Sequence, residues 1–174
     1  MRGVSRMNVR PAHVDDSGGI AEVHVRSWQS AYRDIVPAPY LESLSIERRT
    51  LFWRSQILES SPTEIVVAEI DKRLVGWASF GPSRDDDARE STGELYAFYV
   101  LPELWGTGVG RALWSRAEER LVERGFARVT LWVLRENLRA IRFYQAAGFA
   151  PTVERSIEIG GKNLHELRYE VPIG

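Results

Sequence analysis

One stretch decides the fold of this chain: Glu94-Leu-Tyr-Ala-Phe-Tyr-Val-Leu-Pro-Glu-Leu-Trp-Gly-Thr-Gly-Val-Gly-Arg-Ala-Leu-Trp114. Residues Leu95 to Leu101 are apolar or aromatic at every position, which predicts a strand that is buried on both faces. Pro102 cannot continue a central strand, so we expect the strand to end there.

The glycines that follow predict a turn into a helix. Gly106, Gly108 and Gly110 alternate, and apolar residues then recur every four positions at Val109, Leu113, Ala117 and Leu121. The free N–H groups of a first helical turn converge and carry the positive end of the helix dipole, so such a turn is an anion site. Arg111 adds a positive charge at its mouth.

Spacing separates the known kinds of phosphate loop. A nucleoside-triphosphate loop needs Gly, four residues, Gly, Lys and Ser or Thr, and the chain has no such run. The dinucleotide fingerprint needs Gly-x-Gly-x-x-Gly directly after the strand. Here the third glycine comes one place early and the segment Leu101 to Trp105 intervenes.

Composition indicates a globular domain of ordinary size. The 174 residues are 44% hydrophobic and 27% charged, and 23 basic against 24 acidic side chains give a net charge of −1. This balance does not favour nucleic acid as a partner. Cysteine is absent, so disulfides, thiolate metal sites and a cysteine acyl-enzyme are excluded.

No run of 18 apolar residues and no secretory signal is present, which predicts a cytoplasmic protein without a membrane span. His13, His24 and His165 are scattered without ligand spacing, so we expect no metal. Residues 1–7 lack apolar periodicity and are predicted to be a disordered extension, followed by a single domain over 8–174.

The order of predicted elements describes an α/β protein of the α+β type. An edge strand (Asn8 to Pro11) precedes two helical regions, the first opened by Asp15, Asp16 and Ser17 and the second running from Leu41 to Ser60. A hairpin follows at Glu64 to Ile70 and Arg73 to Phe80. We expect a mixed, mostly antiparallel sheet of about seven strands flanked by about four helices.

The second half completes this sheet. The helix after the glycine turn should reach Arg124 and end at Gly125. Arg128 to Leu134 should be a strand parallel to the central one, since a helix separates the two. A last helix, Leu138 to Ala147, and an antiparallel hairpin at Phe149 to Ile159 and Leu164 to Val171 follow.

Two motifs together carry a family resemblance. Asn137-Leu-Arg-Ala140, Phe143-Tyr144 and Gly148-Phe149 follow Val100-Leu-Pro and Gly106-Thr-Gly-Val-Gly-Arg111 in order and separation. Over roughly Gly93 to Phe149 the chain resembles the acyl-coenzyme A half of the GNAT superfamily of N-acetyltransferases. The resemblance implies that the two parallel central strands splay apart and that acetyl-coenzyme A lies between them. One departure is Trp105, where the family usually has Arg or Gln.

The resemblance implies a set of cofactor-binding residues: Phe98, Tyr99, Val100, Trp105, Gly106, Thr107, Gly108, Val109, Gly110, Arg111, Asn137, Ala140 and Tyr144. It also implies that Tyr144 gives a proton to the departing thiolate and that the Val100 N–H polarises the thioester carbonyl. Spacing agrees, because Asn137 and Tyr144 share a helix face roughly 10 Å apart along the axis.

The acceptor amine must lose a proton before it attacks, and Glu94 is the best candidate base. By period 2 it should share a strand face with Tyr96 and Phe98. Substrate-binding candidates are Trp28, Tyr32, Glu94 and Tyr96. The alternative interpretations are a solvated carboxylate for Glu94 and core aromatics for Trp28 and Tyr32.

The sequence therefore predicts an acetyltransferase that moves an acetyl group from acetyl-coenzyme A to a primary amine of a small molecule or peptide by direct attack. One alternative is a non-catalytic module that binds or senses acyl-coenzyme A. A dinucleotide-dependent oxidoreductase would need alternating strands and helices from the N-terminus, and the hairpin from Glu64 to Phe80 argues against it. The sequence leaves open whether the chain forms a homodimer.

Overall fold

The computed structural model describes residues 7–174. Their seven strands form one sheet. The strands are β1 (Met7–Pro11), β2 (Glu64–Ile70), β3 (Arg73–Pro82), β4 (Thr92–Val100), β5 (Arg128–Leu134), β6 (Ala150–Ile159) and β7 (Lys162–Pro172). Their order is β1-β2-β3-β4-β5-β7-β6, and every neighbouring pair is antiparallel except β4 with β5. The mixed, mostly antiparallel sheet is confirmed. The extension predicted for residues 1–7 lies outside the described residues except for Met7, which begins β1.

Five α-helices are present in the described chain, against the four expected. They are α1 (Ser17–Ala31), α2 (Ala38–Glu42), α3 (Ile46–Leu58), α4 (Val109–Glu123) and α5 (Leu138–Ala146). The second predicted helical region is divided between α2 and α3, because the Ser45 side chain accepts a bond from the Arg48 N–H at 3.2 Å and begins a new helix there. Asp16 is the N-cap residue of α1, as predicted, but its side chain makes no cap bond there, because Asp15 and Asp16 belong to a short 3-10 turn that His13 caps.

β4 and β5 splay apart soon after they meet. Their register pairs only Thr92–Glu94 with Arg128–Thr130, although both strands continue beyond these residues. From Leu95 onward the β5-facing edge of β4 therefore has no strand partner. This divergence opens a cleft in the middle of the sheet.

A bulge in β4 corrects one expectation about its faces. Ser79 pairs with Ala97 but Phe80 pairs with Leu95, so Tyr96 is the extra residue. Glu94 consequently pairs with Gly81 and Phe98 with Ala78, which lie on opposite faces of β3. The prediction that Glu94 and Phe98 share a face was wrong, since the inserted residue shifts the alternation by one.

The prediction that β4 is buried on both faces throughout holds only at its ends. Residues 96–99 are half-buried because they lie where β5 has diverged, whereas Leu95 and Val100 are buried. The main core packs α1 and α3 on one face of the sheet and α4 on the other, around Trp77, Phe80, Leu113 and Leu121.

Candidate active site

The splay creates a cavity of about 360 Å³ between the two parallel strands. Its walls are Leu95–Val100 of β4, Leu131–Val133 of β5, the glycine turn and one side of α5. The predicted cofactor residues that line it are Phe98, Tyr99, Val100, Trp105, Gly106, Gly108, Gly110, Arg111, Asn137, Ala140 and Tyr144. The structure thus brings residues from three separate segments of the chain to one cleft.

Two predicted residues of the turn do not line the cavity with their side chains. Thr107 is exposed, and its hydroxyl donates to the Leu104 carbonyl oxygen at 2.7 Å. Val109 is only 2% exposed and belongs to the core beneath α4. The Thr107 N–H also donates to the Leu104 carbonyl oxygen, at 3.3 Å, so of these two residues only Val109 offers a backbone N–H to a ligand.

The glycines of the turn are needed for backbone reasons. Gly106 and Gly108 have φ values of +78° and +98°, a region that side chains disfavour. Gly108 is the N-cap of α4 and has no side chain to block the first helical turn, so the N–H groups that follow stay free for an anion. A Cβ at Gly110 would lie 3.2 Å from the ring of Phe143, so this glycine permits close packing of α5.

The edge of β4 offers further polar groups to the cleft. The Leu101 N–H donates to Val75 of β3 at 2.8 Å, and successive peptide groups alternate in direction, so those of Phe98 and Val100 point toward the cleft. The Val100 carbonyl oxygen accepts bonds from Ser27 Oγ at 3.0 Å and from Trp105 Nε1 at 2.9 Å. Ser27 was missed by sequence reasoning, because a serine inside a helix carries no signal of its partner.

Helix α5 holds the polar groups of the opposite wall. Asn137 caps this helix, since its side chain accepts from the Ala140 N–H at 3.3 Å. Tyr144 lies among aromatic rings, with ring centres 5.7 Å from Phe149 and 6.3 Å from Phe98. Burial raises the pKa of the Tyr144 hydroxyl, so this group keeps its proton at neutral pH.

Two more tyrosines complete this end of the cavity. Tyr32, directly after α1, and Tyr99 of β4 both line it, and burial raises the pKa of each hydroxyl. Trp28 lies outside the lining and packs edge-on against Tyr32, with ring centres 4.9 Å apart. The aromatic pair predicted at this helical spacing is real, but only Tyr32 reaches the cavity.

Glu94 is buried and lies outside the cavity lining. It is 4% exposed, and its carboxylate accepts bonds from the Arg84 backbone N–H and Nη2, each at 2.8 Å. The Arg84 guanidinium also lies 4.0 Å above the ring of Tyr96, a cavity residue. Sequence reasoning missed Arg84, because it lies in a charged loop whose path along β4 no local pattern reveals.

The same loop is tied to the C-terminal strands. Asp85 accepts a bond from Nε1 of Trp132, another cavity residue, at 2.9 Å. Arg168 of β7 donates to Asp87 at 2.6 and 2.8 Å and to Asp85 at 3.4 Å. Charges near this side of the cavity are therefore largely neutralised by one another.

Within residues 7–174, no group of three or more His, Cys, Asp or Glu side chains is arranged to hold a metal ion. None of the described helices is long and apolar enough to cross a membrane.

Sequence comparison identifies relatives over most of the chain. The model of the acetyltransferase (GNAT) family matches residues 25–149. The uncharacterized N-acetyltransferase YuaI of Bacillus subtilis is 39% identical over 162 residues, which are 92% of this chain and 90% of the relative. An uncharacterized N-acetyltransferase of Archaeoglobus fulgidus is 32% identical over 139 residues, 79% of this chain and 89% of the relative.

Solved structures share the fold. The PaiA N-acetyltransferase of Thermoplasma acidophilum, in complex with coenzyme A, superposes with a TM-score of 0.78 at 22% identity and covers 96% of this chain and 99% of its own. Salmonella typhimurium yncA, with its cofactor acetyl-CoA, gives 0.71 at 22% identity over 97% and 94%. With its splayed parallel strands, glycine turn and family match, the chain belongs to the acetyltransferase (GNAT) family, a family of acyltransferase enzymes.

Proposed function

We propose that this protein transfers an acetyl group from acetyl-coenzyme A to a primary amine of a small molecule or peptide, by direct attack in a ternary complex. One observation carries the proposal. The cavity between β4 and β5 is lined both by the glycine turn, with its free N–H groups, and by the protonated, buried Tyr144. An extended cofactor with a diphosphate at one end and a thioester at the other fits this arrangement.

The residues present suit acetyl-coenzyme A as co-substrate. The backbone N–H groups of Gly106 and of Gly108 to Arg111, together with the Arg111 side chain, would hold the diphosphate. Val109 would contribute through its backbone alone, whereas the N–H and hydroxyl of Thr107 both already donate to Leu104. The cleft-facing backbone groups of Phe98 would bind an amide of the pantetheine arm, and Asn137 and Ala140 would border it. The Val100 carbonyl oxygen already accepts from Ser27 and Trp105, so Val100 would offer its N–H alone. The two neighbours that contain coenzyme A or acetyl-CoA support the assignment.

The chemistry needs no covalent enzyme intermediate, which agrees with a chain that lacks cysteine. The amine nitrogen forms a bond to the acetyl carbon, and the bond from that carbon to sulfur breaks. The Val100 N–H would stabilise the developing oxyanion. Tyr144 would donate its hydroxyl hydrogen to the departing thiolate, and the raised pKa keeps that hydroxyl protonated until the thiolate leaves.

Glu94 is the proposed acceptor of the amine proton. Its carboxylate is bound by Arg84, whose own side chain is 65% exposed and can turn toward water. Because Glu94 lies outside the cavity lining, the proton would reach it through a water molecule. Tyr32 and Tyr96 would form the wall against which the acceptor lies, with Trp28 supporting Tyr32 from behind.

The test is thiol release from acetyl-coenzyme A by the purified protein across a broad panel of amines and peptides, with mass spectrometry of the products. We expect turnover with at least one class of primary amine and an N-acetylated product. Binding of coenzyme A by calorimetry without any turnover would favour the alternative, a non-catalytic sensor. Absence of both binding and turnover would reject the proposal.

A further inference from the structure

An arginine of α5 lies across the cleft on the indole of the glycine turn. The Arg139 guanidinium carbon is 3.5 Å from the centre of the Trp105 ring, and both residues line the cavity. Trp105 is itself fixed, because its Nε1 donates to the Val100 carbonyl oxygen. The Trp105 indole is thus fixed to β4 by a hydrogen bond, and the Arg139 guanidinium from α5 stacks on its face in a cation–π contact.

Arg139 is a cation without an acidic partner among residues 7–174. Other arginines near the cleft are neutralised, Arg84 by Glu94, Arg155 by Glu166 and Arg168 by Asp85 and Asp87. No Asp or Glu of the described chain lines the cavity, whose only charged lining residues are Arg111 and Arg139. Arg139 is exposed as a residue, yet its guanidinium is partly desolvated against the cleft wall, which lowers its pKa, and it has no counter-charge in the described chain. Such a group suits an anion that a ligand brings.

The direction of the side chain indicates which anion this is. Arg139 and Phe143 are four residues apart and so lie on the same side of α5. The Phe143 ring is the group that a Cβ at Gly110 would touch, so this side of the helix faces the glycine turn. The guanidinium lies on Trp105, the residue directly before Gly106, and so lies beside the glycine turn, with Tyr32 and Tyr144 also near enough to affect its pKa.

We propose that Arg139, held on Trp105, binds the diphosphate of coenzyme A and supplies from α5 the side-chain contact that Trp105 cannot make. This inference rests on the proposed function. It assigns Trp105 a role as the platform of a binding arginine. The planar guanidinium can stack on the indole and still direct its N–H groups at phosphate oxygens.

The test is calorimetry of coenzyme A and of 3′-dephospho-coenzyme A with the wild type and with Arg139→Gln. We expect the variant to bind both ligands about tenfold more weakly, the loss typical of one charge-assisted hydrogen bond. Arg139→Lys should recover part of the affinity, because it restores the charge but not the planar fork. Trp105→Ala should weaken binding similarly, and the double variant should lose less than the sum of the two.

The matched control is Arg142→Gln, which removes an exposed arginine of the same helix outside the cavity. If Arg139→Gln binds coenzyme A as tightly as wild type, the inference is wrong. A loss seen with coenzyme A but not with the 3′-dephospho form would assign Arg139 to the 3′-phosphate and also overturn it. If the wild type itself fails to bind coenzyme A, the proposed function fails instead.

Discussion

The two sides of the cleft differ in whether their charged groups are paired within the protein. On the cofactor side, free backbone N–H groups, aromatic rings and two arginines without acidic partners in the described chain surround the cavity. On the acceptor side, Arg84 is paired with Glu94 and Arg168 with Asp85 and Asp87, so few charges remain uncompensated. The cofactor side is thus prepared for a polyanion, whereas the acceptor side is closed by its own ion pairs.

This difference indicates how sensitive each side of the cleft is to substitution. An anion site made of backbone groups depends on local geometry, so it tolerates changes of side chain so long as the glycines remain. A wall of paired charges depends on several distant residues together, so a single substitution exposes an uncompensated charge. Under the proposed function, a change in these ion pairs would alter acceptor choice without disturbing the cofactor site.

The substitution expected to have the largest effect on coenzyme A binding is Gly108→Val. A Cβ there meets no atom within 4 Å, so the change acts through the positive φ and by obstructing the anion site. We expect coenzyme A affinity by calorimetry to fall on the order of 10³-fold, because two or more bonds to the diphosphate would be lost. Gly125→Val is the control, since Gly125 also has a positive φ and open space but lies at the far end of α4. Equal affinity in the two variants would contradict the anion site.

The junction of the two sides is tested by Tyr144→Phe. Loss of the hydroxyl should lower kcat by about 10²-fold through loss of the acid, while the KM for acetyl-coenzyme A changes little. Steady-state kinetics with an acceptor found in the panel provide the measurement. Tyr169→Phe, a change at a buried core tyrosine outside the cavity, should leave kcat near wild type. An unchanged kcat in Tyr144→Phe would refute the assigned role.

Acid should destabilise the whole fold through His24 of α1. This ring is 6% exposed and stacks on Tyr99 at 5.2 Å, and burial lowers its pKa to about 3. The folded state therefore resists protonation that the unfolded chain accepts below about pH 6.5. The contribution of neutral His24 to the free energy of unfolding is therefore fully present above that pH. It decreases as the pH drops toward 3, and about 2 kcal/mol of it is lost at pH 5.

Urea unfolding at pH 7.5 and pH 5 measures this loss. His24→Leu should remove that part of the pH dependence, whatever its effect on stability at pH 7.5. His165→Leu should retain it, because the His165 side chain is 41% exposed. If His24→Leu and the wild type lost the same free energy of unfolding between pH 7.5 and pH 5, His24 would not be a group that resists protonation.

The acceptor side itself is tested by Glu94→Gln. We expect kcat/KM for the amine to fall about tenfold, below the usual 10²–10⁴ of a general base, because Arg84 already binds this carboxylate. Glu166→Gln is the matched control, since that carboxylate is also paired with an arginine and its side chain is 14% exposed. If the two variants lose activity equally, Glu94 is a structural partner of Arg84 and not the base.

Much of the fold could be predicted because its signals are local. The limits of β2 and β5 were predicted to the residue, and α4 does end beside Gly125, whose φ is +84°. The bulge at Tyr96 could not be predicted, because a run of apolar residues looks the same with or without one inserted residue. The division at Ser45 was missed for a similar reason, since the apolar spacing continues across it.

The sequence by itself determined the glycine turn, the cap at Asn137 and the spacing from Asn137 to Tyr144, each of which depends on backbone angles or helix periodicity within a few residues. Only the tertiary structure decided that Arg84 binds Glu94, that Ser27 and Trp105 share the Val100 carbonyl, and that Arg139 lies on Trp105. These contacts join separate elements, and several span tens of positions. Strand register and helix packing set them, and no short pattern in the chain encodes either.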